Sequence, residues 1–368
     1  MSATSTFRFH GVTLRLESQV AAFADYVGSS LEPFRVDDQA KADIVASLEW
    51  VEGSPASTLK EAFADAGWSH RPDRDLYLGE GRGYWLRIDD FTDLHLAIRF
   101  VDGRLDLVGR YYFSLAKGRG WDRFQRWRHK GRLETLRARR FSTLLYYVFY
   151  HPVLWRLSRF DGLHVLHAGA VATPDGAVVL AGMPGCGKST LAVALLGQPA
   201  CRLLSDNLVL HDGARVWGCP ELLLLDANSR RLAGPGADRL VPTGERRVFS
   251  RDAYRVADLE LRAQPVAAVF HVERAVVSAT RELNASESGA RLHAANIMAK
   301  EVRRMAIMNE VLDAVAGTRR LDEVESPRRL AAATRNYEVR VADSASLAEF
   351  ARREILGRVD GSALRGAL

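Results

Sequence analysis

Cysteine is scarce in this chain: Cys186, Cys201 and Cys219 are the only three among 368 residues. Three thiols close together cannot form a disulfide framework, so a reducing, cytoplasmic setting is expected. Long apolar runs are missing too. The nearest approach to the ~18 residues a membrane span needs is residues 141–155. That run is interrupted by His151-Pro152 and closed by Arg156, and it reads as a buried or interfacial helix. Met1 to Phe9 is polar and lacks the apolar core of a signal peptide. There is no internal repeat, no low-complexity tract and no N/T-K-x-D motif of the GTP-specific kind. What remains is 47% apolar and 26% charged, ordinary for a globular protein. The length suits two domains at roughly 100–200 residues each.

One motif stands out. Residues 182–189 read Gly-Met-Pro-Gly-Cys-Gly-Lys-Ser, a complete G-x-x-x-x-G-K-[ST] phosphate-binding loop. An apolar run at 177–181 precedes it and a helical stretch, 190–196, follows. The chemistry requires that order: a strand delivers the loop, glycines turn backbone N–H groups inward, and the helix aims its positive end at the phosphates. Gly182, Pro184, Gly185, Cys186, Gly187, Lys188, Ser189 and Thr190 are the candidate nucleotide contacts. Lys188 is expected on the β/γ-phosphates and Ser189 on Mg²⁺. Cys186, inside the loop, is either a small filler or a thiol made oxidisable by nearby positive charge.

Around this motif the chain changes character twice. Residues 1–116 read as a strand-rich α+β domain dominated by antiparallel strands. Its segments fall at 7–16, 44–51, 76–78, 84–88, 94–101 and 105–113, with a hairpin at Asp102-Gly103 and short helices at 19–26 and 59–66. Residues 117–158 read as a basic, aromatic helical connector. From 159 to 368 buried strands alternate with helices: strands at 165–172, 177–181, 202–204, 208–210, 222–225, 266–272 and 337–341. A loop is expected beyond Leu232, one long helix over 287–315, a short helix opened by Pro327, and a last helix capped by Ser344.

Between Lys117 and Arg140 there are ten Lys or Arg against two acids, Asp122 and Glu134. Trp121, Phe124 and Trp127 recur every third residue through the run. As structure, this is a helix that buries its aromatic stripe on a neighbour and solvates its arginines. As function, it attracts nucleic acid, an anionic membrane face or an acidic peptide. No nucleic-acid motif accompanies it, so nucleic acid is not expected, and membrane contact is the weaker alternative.

A phosphoryl-transfer site also needs an acid near the metal and a base for the acceptor. Two apolar runs end in aspartate. Asp206 closes the first run after the loop helix, and Asp226 follows Leu222-Leu223-Leu224-Leu225 further on. His167-Ala168-Gly169-Ala170 precedes the loop on the strand before it. These elements, His-Ala-Gly, the G-x-x-G-x-G-K-S loop and Leu204-Ser205-Asp206-Asn207, resemble the catalytic core of the HPr kinase/phosphorylase-like family. The resemblance is strong from His167 to Asn207 and looser beyond. By it Asp206 is the catalytic base and a Mg²⁺ contact, and His167 lies near the transferring phosphate or the acceptor. Asn207 stands where the family has a second acid, and is the further metal candidate. Thr190 replaces a family Glu, and Trp217-Gly218-Cys219-Pro220-Glu221 occupies the place of the Gly-rich signature loop. Those departures argue against HPr as substrate. Taken as structure alone, His167 is a satisfied core histidine and Asp206 caps a turn.

The expected fold is therefore α/β, a P-loop kinase core of the HPr-kinase-like type with a strand-rich α+β N-terminal domain. The expected activity is ATP- and Mg²⁺-dependent transfer of the γ-phosphate to a hydroxyl. The acceptor is a peptide or protein Ser/Thr, such as a natural-product peptide, or a small molecule. Homo-oligomers are common in the family. Arg246 and Arg247 are candidates for transition-state charge stabilisation, with Asp226 as the alternative acid. The alternative function is a nucleotide-gated binding protein with slow NTPase activity.

Overall fold

The computed structural model describes residues 3–53, 67–86, 88, 93–116, 119–219, 221–247, 251–319, 324–342 and 346–359. The segments 59–66 and Ser344, expected as a helix and a helix cap, lie outside them. The chain divides into two compact units, Met1–Asp161 with Arg304–Arg320 and Gly162–Arg303 with Leu321–Leu368. The architecture is mixed α/β.

In the first unit β1 (Ala3–Phe9), β2 (Val12–Ser18), α1 (Ala21–Ser30), β3 (Arg35–Val36), β4 (Ile44–Glu52), β5 (Ser69–Arg71), β6 (Leu76–Gly79), β7 (Arg82–Trp85), β8 (Leu94–Val101) and β9 (Arg104–Phe113) follow one another. Among the described residues the strands form one sheet in the order β3-β1-β2-β4-β9-β8-β7-β6-β5. Most neighbours are antiparallel, as expected, but β4 runs parallel to both β2 and β9. The segment expected as one strand at 7–16 is a hairpin. His10 and Gly11 both take positive φ, 48° and 100°, as do Asp102 and Gly103 at the second hairpin, 50° and 75°. Paired left-handed residues match the twist of the flanking strands, so each two-residue turn closes tightly. Helices α2 (Arg119–Arg128), α3 (Leu133–Leu145) and α4 (His151–Phe160) complete this part, with a π-helical turn over Tyr146–Tyr150 between the last two. Trp155, at 0% exposure, donates Nε1–H to Asp313 Oδ1 at 2.8 Å, and Arg159 forks onto the same carboxylate with two bonds of 2.8 Å.

The aromatic stripe is not buried as expected. Trp121, Phe124 and Trp127 are 56%, 43% and 74% exposed, and it is Asp122 on the opposite side that is buried.

The second unit runs β10 (His164–Leu166), β11 (Ala168–Thr173), β12 (Gly176–Ala181), α5 (Lys188–Leu196), β13 (Arg202–Ser205), β14 (Val209–His211), β15 (Arg215–Gly218), β16 (Leu223–Leu225), α6 (Ala227–Leu232), β17 (Leu240–Arg247), β18 (Arg251–Val256), β19 (Gln264–Ala275) and β20 (Ala279–Leu283). Then come α7 (Ala285–Met298), α8 (Lys300–Ala316), which belongs to the first unit from Arg304 onward, α9 (Glu325–Ala333), β21 (Arg335–Ala342) and α10 (Leu347–Phe350). The main sheet orders as β10-β14-β15-β19-β12-β11-β13, with β21 on the other side of β19. Strands β12, β19 and β21 are parallel, and both faces of β12 are buried. A strand covered on two sides reads as a continuous apolar run, which is why Ala177 to Ala181 carries no polar residue. Helix α5 packs on the face bearing Val178, Leu180, Phe270 and Val272. Leu292 of α7 and Leu330 of α9 pack on the face bearing Val179 and Val269.

Five expectations change here. The strand expected over 165–172 breaks at His167, whose N–H donates to Asn296 Oδ1 at 2.7 Å, so β10 pairs with β14 and β11 with β12. Leu223–Leu225 belongs to a separate three-stranded sheet, β16-β18-β17. The region 240–247, expected as loop, is strand β17, bulged between Pro242 and Arg246. The helix expected over 287–315 is two helices, because Ala299 turns extended at φ −73°, ψ 124°. No Gly or Pro marks that break, and nothing local in the sequence explains it. Ser346, not Ser344, caps α10, accepting from Glu349 N–H at 3.4 Å.

Candidate functional site

The phosphate-type loop joins the C-terminal end of β12 to α5. Gly182 has φ 142°, and a Cβ there would lie 2.6 Å from the Val272 carbonyl of β19, so strand packing itself requires glycine. Gly185 and Gly187 differ: φ is 83° and 104°, and open space surrounds the position of each missing Cβ. They are needed for backbone direction and leave the loop unobstructed on that side. Gly187 is the N-cap of α5 and no side chain caps the helix. A helix start without a side-chain cap carries the partial positive charge of its first N–H groups.

Lys188 is buried and folds back over the loop, donating from Nζ to the carbonyls of Gly182 at 2.8 Å and Met183 at 3.2 Å. Burial lowers its pKa, while Cys186, Asp206 and Glu301 act to raise it. Asp206 follows β13 directly and the Ser189 hydroxyl reaches its carboxylate. Burial pushes the Asp206 pKa up, opposed by Ser189, Lys188 and Arg251. Its Oδ1 is buried without a hydrogen-bond partner. Gly169 of β11 lies against this turn, where a Cβ would make ordinary contact with the Asp206 carbonyl at 3.4 Å. Loop lysine, Ser189 and Asp206 therefore come together in one place, as the sequence led us to expect.

The His167 ring is buried and faces the Asn207 backbone, yet neither nitrogen makes a hydrogen bond of ordinary geometry. Burial, with Lys188 nearby, lowers its pKa to about 4, so it is neutral at pH 7. It is not the satisfied core histidine of the structural alternative. Asn207 donates from Nδ2 to Glu221 Oε2 at 3.5 Å. Glu221 thus brings a carboxylate to the position where the sequence has amide in place of acid.

The other candidates fall elsewhere. Asp226 is the N-cap of α6 and accepts from Ser229 N–H at 2.7 Å. Arg246 and Arg247 pair in the β17–β18 ladder opposite Asp252 and Arg251, and their side chains lie outside the described residues. Thr190 is buried at the start of α5. Pro184 is exposed on the loop. Burial raises the Cys186 pKa in spite of Lys188, the reverse of an activated thiolate. Its Sγ would lie 2.9 Å from a Cβ at Gly182, so it serves as the filler under the loop.

Three charges were not legible in the sequence. Glu301, in the first turn of α8, acts on Lys188. Arg274 lies two residues past Val272, on the same face of β19, and lowers the Cys186 pKa. Arg251, opening β18, acts on Asp206. The loop motif is contiguous in sequence, whereas these charges arrive from separate elements much later in the chain. Among the described residues no cluster of three or more His, Cys, Asp or Glu stands ready for a metal.

His167, His211 and His271 are buried in this unit, with pKa values lowered by burial to about 4, about 3 and about 4. His271 Nε2 pairs with Ser288 Oγ at 2.8 Å and His211 Nε2 with Ser326 Oγ at 3.1 Å. The unfolded chain binds protons at these rings near pH 6.5 while the folded chain does not. Their contribution is therefore complete above pH 6.5 and lost as pH falls from 6.5 toward 4, at about 1.4 kcal/mol per pH unit for each ring. Chemical denaturation of the protein between pH 7.5 and 5 checks this. Replacing His271 by Gln is expected to flatten the slope over that window, and an unchanged slope would contradict it.

No protein-family model matches the chain, and no curated protein is significantly similar to it. No helix of the described residues is long and apolar enough to cross a membrane.

Proposed function

We propose that the chain is an ATP- and Mg²⁺-dependent kinase, with an HPr-kinase-like P-loop core, that phosphorylates a hydroxyl on a peptide or small molecule. The observation that carries this reading is the approach of Ser189 to Asp206 beside a glycine cradle, with Oδ1 of that aspartate buried and unpartnered. A buried carboxylate oxygen without a donor is costly unless something at the site uses it. The residues fit the expected ligand. Gly185, Gly187 and the open start of α5 would bind phosphate oxygens, Lys188 would exchange its two carbonyls for a phosphate, and Ser189 with Asp206 would hold the metal.

Bound ATP with Mg²⁺ supplies the transferable phosphoryl group. Asp206, made more basic by burial, takes the proton of the acceptor hydroxyl as that oxygen attacks. Asn207 and Glu221 hold the turn that carries it. Arg274 adds positive charge beside the loop. Neutral His167 offers an unused polar edge next to Asn207.

The alternative, a nucleotide-gated binding protein with slow NTPase activity, draws on the absence of a ready acid cluster among the described residues. Both readings require nucleotide at the loop. ATP titrated calorimetrically into the protein with Mg²⁺ is expected to bind saturably. Lys188→Ala removes charge-assisted bonds worth about 1.5–3 kcal/mol, a weakening of roughly 10- to 150-fold. No saturable binding by the wild-type chain would remove both readings.

A further inference from the structure

Helix α2 is turned inside out. Its polar side faces the protein: Asp122 is buried, accepting the Leu115 N–H at 2.6 Å and the Arg126 Nε–H at 2.6 Å. Arg126 is fastened further to Glu52 and to the Phe113 carbonyl, and its guanidinium lies over the Phe113 ring at 5.2 Å. Arg137 of α3 reaches Glu52 Oε1 at 2.7 Å and so ties the next helix to the same strand end. By helical geometry residues 121, 124 and 127 lie opposite residues 122 and 126. The clamp on one side therefore holds Trp121, Phe124 and Trp127 outward.

Those three rings are exposed together, unlike the scattered surface apolar residues that need no explanation. Trp121 and Phe124 stack at 5.1 Å and 20°, and Phe124 and Trp127 follow at 6.1 Å and 34°. Together they form one exposed aromatic ridge along the helix. Arg123 and Arg128 flank the ridge in the exposed state, and Lys130, Arg132, Arg139 and Arg140 lie just beyond it.

We infer that this ridge is a membrane-surface anchor, and that its occupant is a bilayer containing anionic phospholipid. Exposed aromatic rings beside exposed arginines suit a fluid interface, into which the rings insert at headgroup depth while the arginines meet lipid phosphates. Tryptophan with flanking basic residues is the composition that such an interface selects. The inference is independent of the proposed kinase reaction, since every residue it uses lies in the first unit.

The test is co-sedimentation of the full-length protein with vesicles of phosphatidylcholine alone and of phosphatidylcholine with phosphatidylserine. The serine-containing vesicles are expected to bind it, the neutral ones weakly, and raised salt to weaken binding. Trp121→Ala with Trp127→Ala, and separately Arg123→Gln with Arg128→Gln, are each expected to lower partitioning roughly tenfold or more. All four positions are exposed, and circular dichroism confirms that the variants are folded. Equal binding of wild type and both variants, or none by the wild type, would overturn the anchor. So would preferential binding of a single-stranded RNA or a polyglutamate peptide that the same variants abolish. A wild-type dimer lost in the tryptophan variant, without vesicle binding, would assign the ridge to a second copy instead.

Discussion

Asp206→Asn is expected to lower phosphoryl transfer by about a thousandfold, within the ~10²–10⁴ that a positioned general base contributes. On the proposed reading ATP affinity at saturating Mg²⁺ should stay within about threefold, because the loop amides and Lys188 would provide most of the phosphate contacts. The substitution keeps the shape and the reach to Ser189 while removing the charge that takes the proton. It also removes a buried carboxylate whose desolvation burdens the fold, so thermal stability should hold or rise. Burst kinetics with labelled ATP separate the two effects. A variant that transfers at the wild-type rate would show that Asp206 is not the base.

Asp313→Ala should be the most damaging single change to stability. Its carboxylate, with Arg159, is almost wholly buried, the side chains being 9% and 6% exposed. It accepts from Trp155 Nε1, from both arms of Arg159, and from Thr318 Oγ1 at 2.7 Å. Alanine would leave the guanidinium and the indole N–H buried and unpaired, a loss of about 3–5 kcal/mol. Urea denaturation of the variant measures it. Asp313→Asn, which retains acceptors for the indole and the hydroxyl, is expected to recover part of the loss. A cost under about 1 kcal/mol for alanine would mean that water reaches Arg159.

What the sequence disclosed and what it hid follow from distance along the chain. The strand, loop and helix from Ala177 to Leu196 are a local pattern, and so was the hairpin at Asp102-Gly103. Two apolar runs end in aspartate, and Asp206 was singled out only by the resemblance of Leu204-Ser205-Asp206-Asn207 to the HPr-kinase-like core. Asp226 ends an equally apolar run, but β16 pairs with β18 outside the main sheet, and composition says nothing about which sheet a strand joins. Glu221 and Glu301 reach the site through folding alone. The periodicity of α2 identified an aromatic stripe but not the side the protein would cover. That was decided by the pairing of Arg126 with Glu52, which lie far apart in sequence. The break at Ala299 had no Gly or Pro to announce it.

On the proposed reading the loop and Asp206 move a phosphoryl group from ATP to a hydroxyl. The fate of γ-label, when the protein is incubated with Mg²⁺-ATP and peptide or small-molecule hydroxyl acceptors, tests this. Label is expected on an acceptor as a phosphomonoester, in wild type and not in Asp206→Asn. Label released only as inorganic phosphate, at rates that Asp206→Asn does not change, would contradict it.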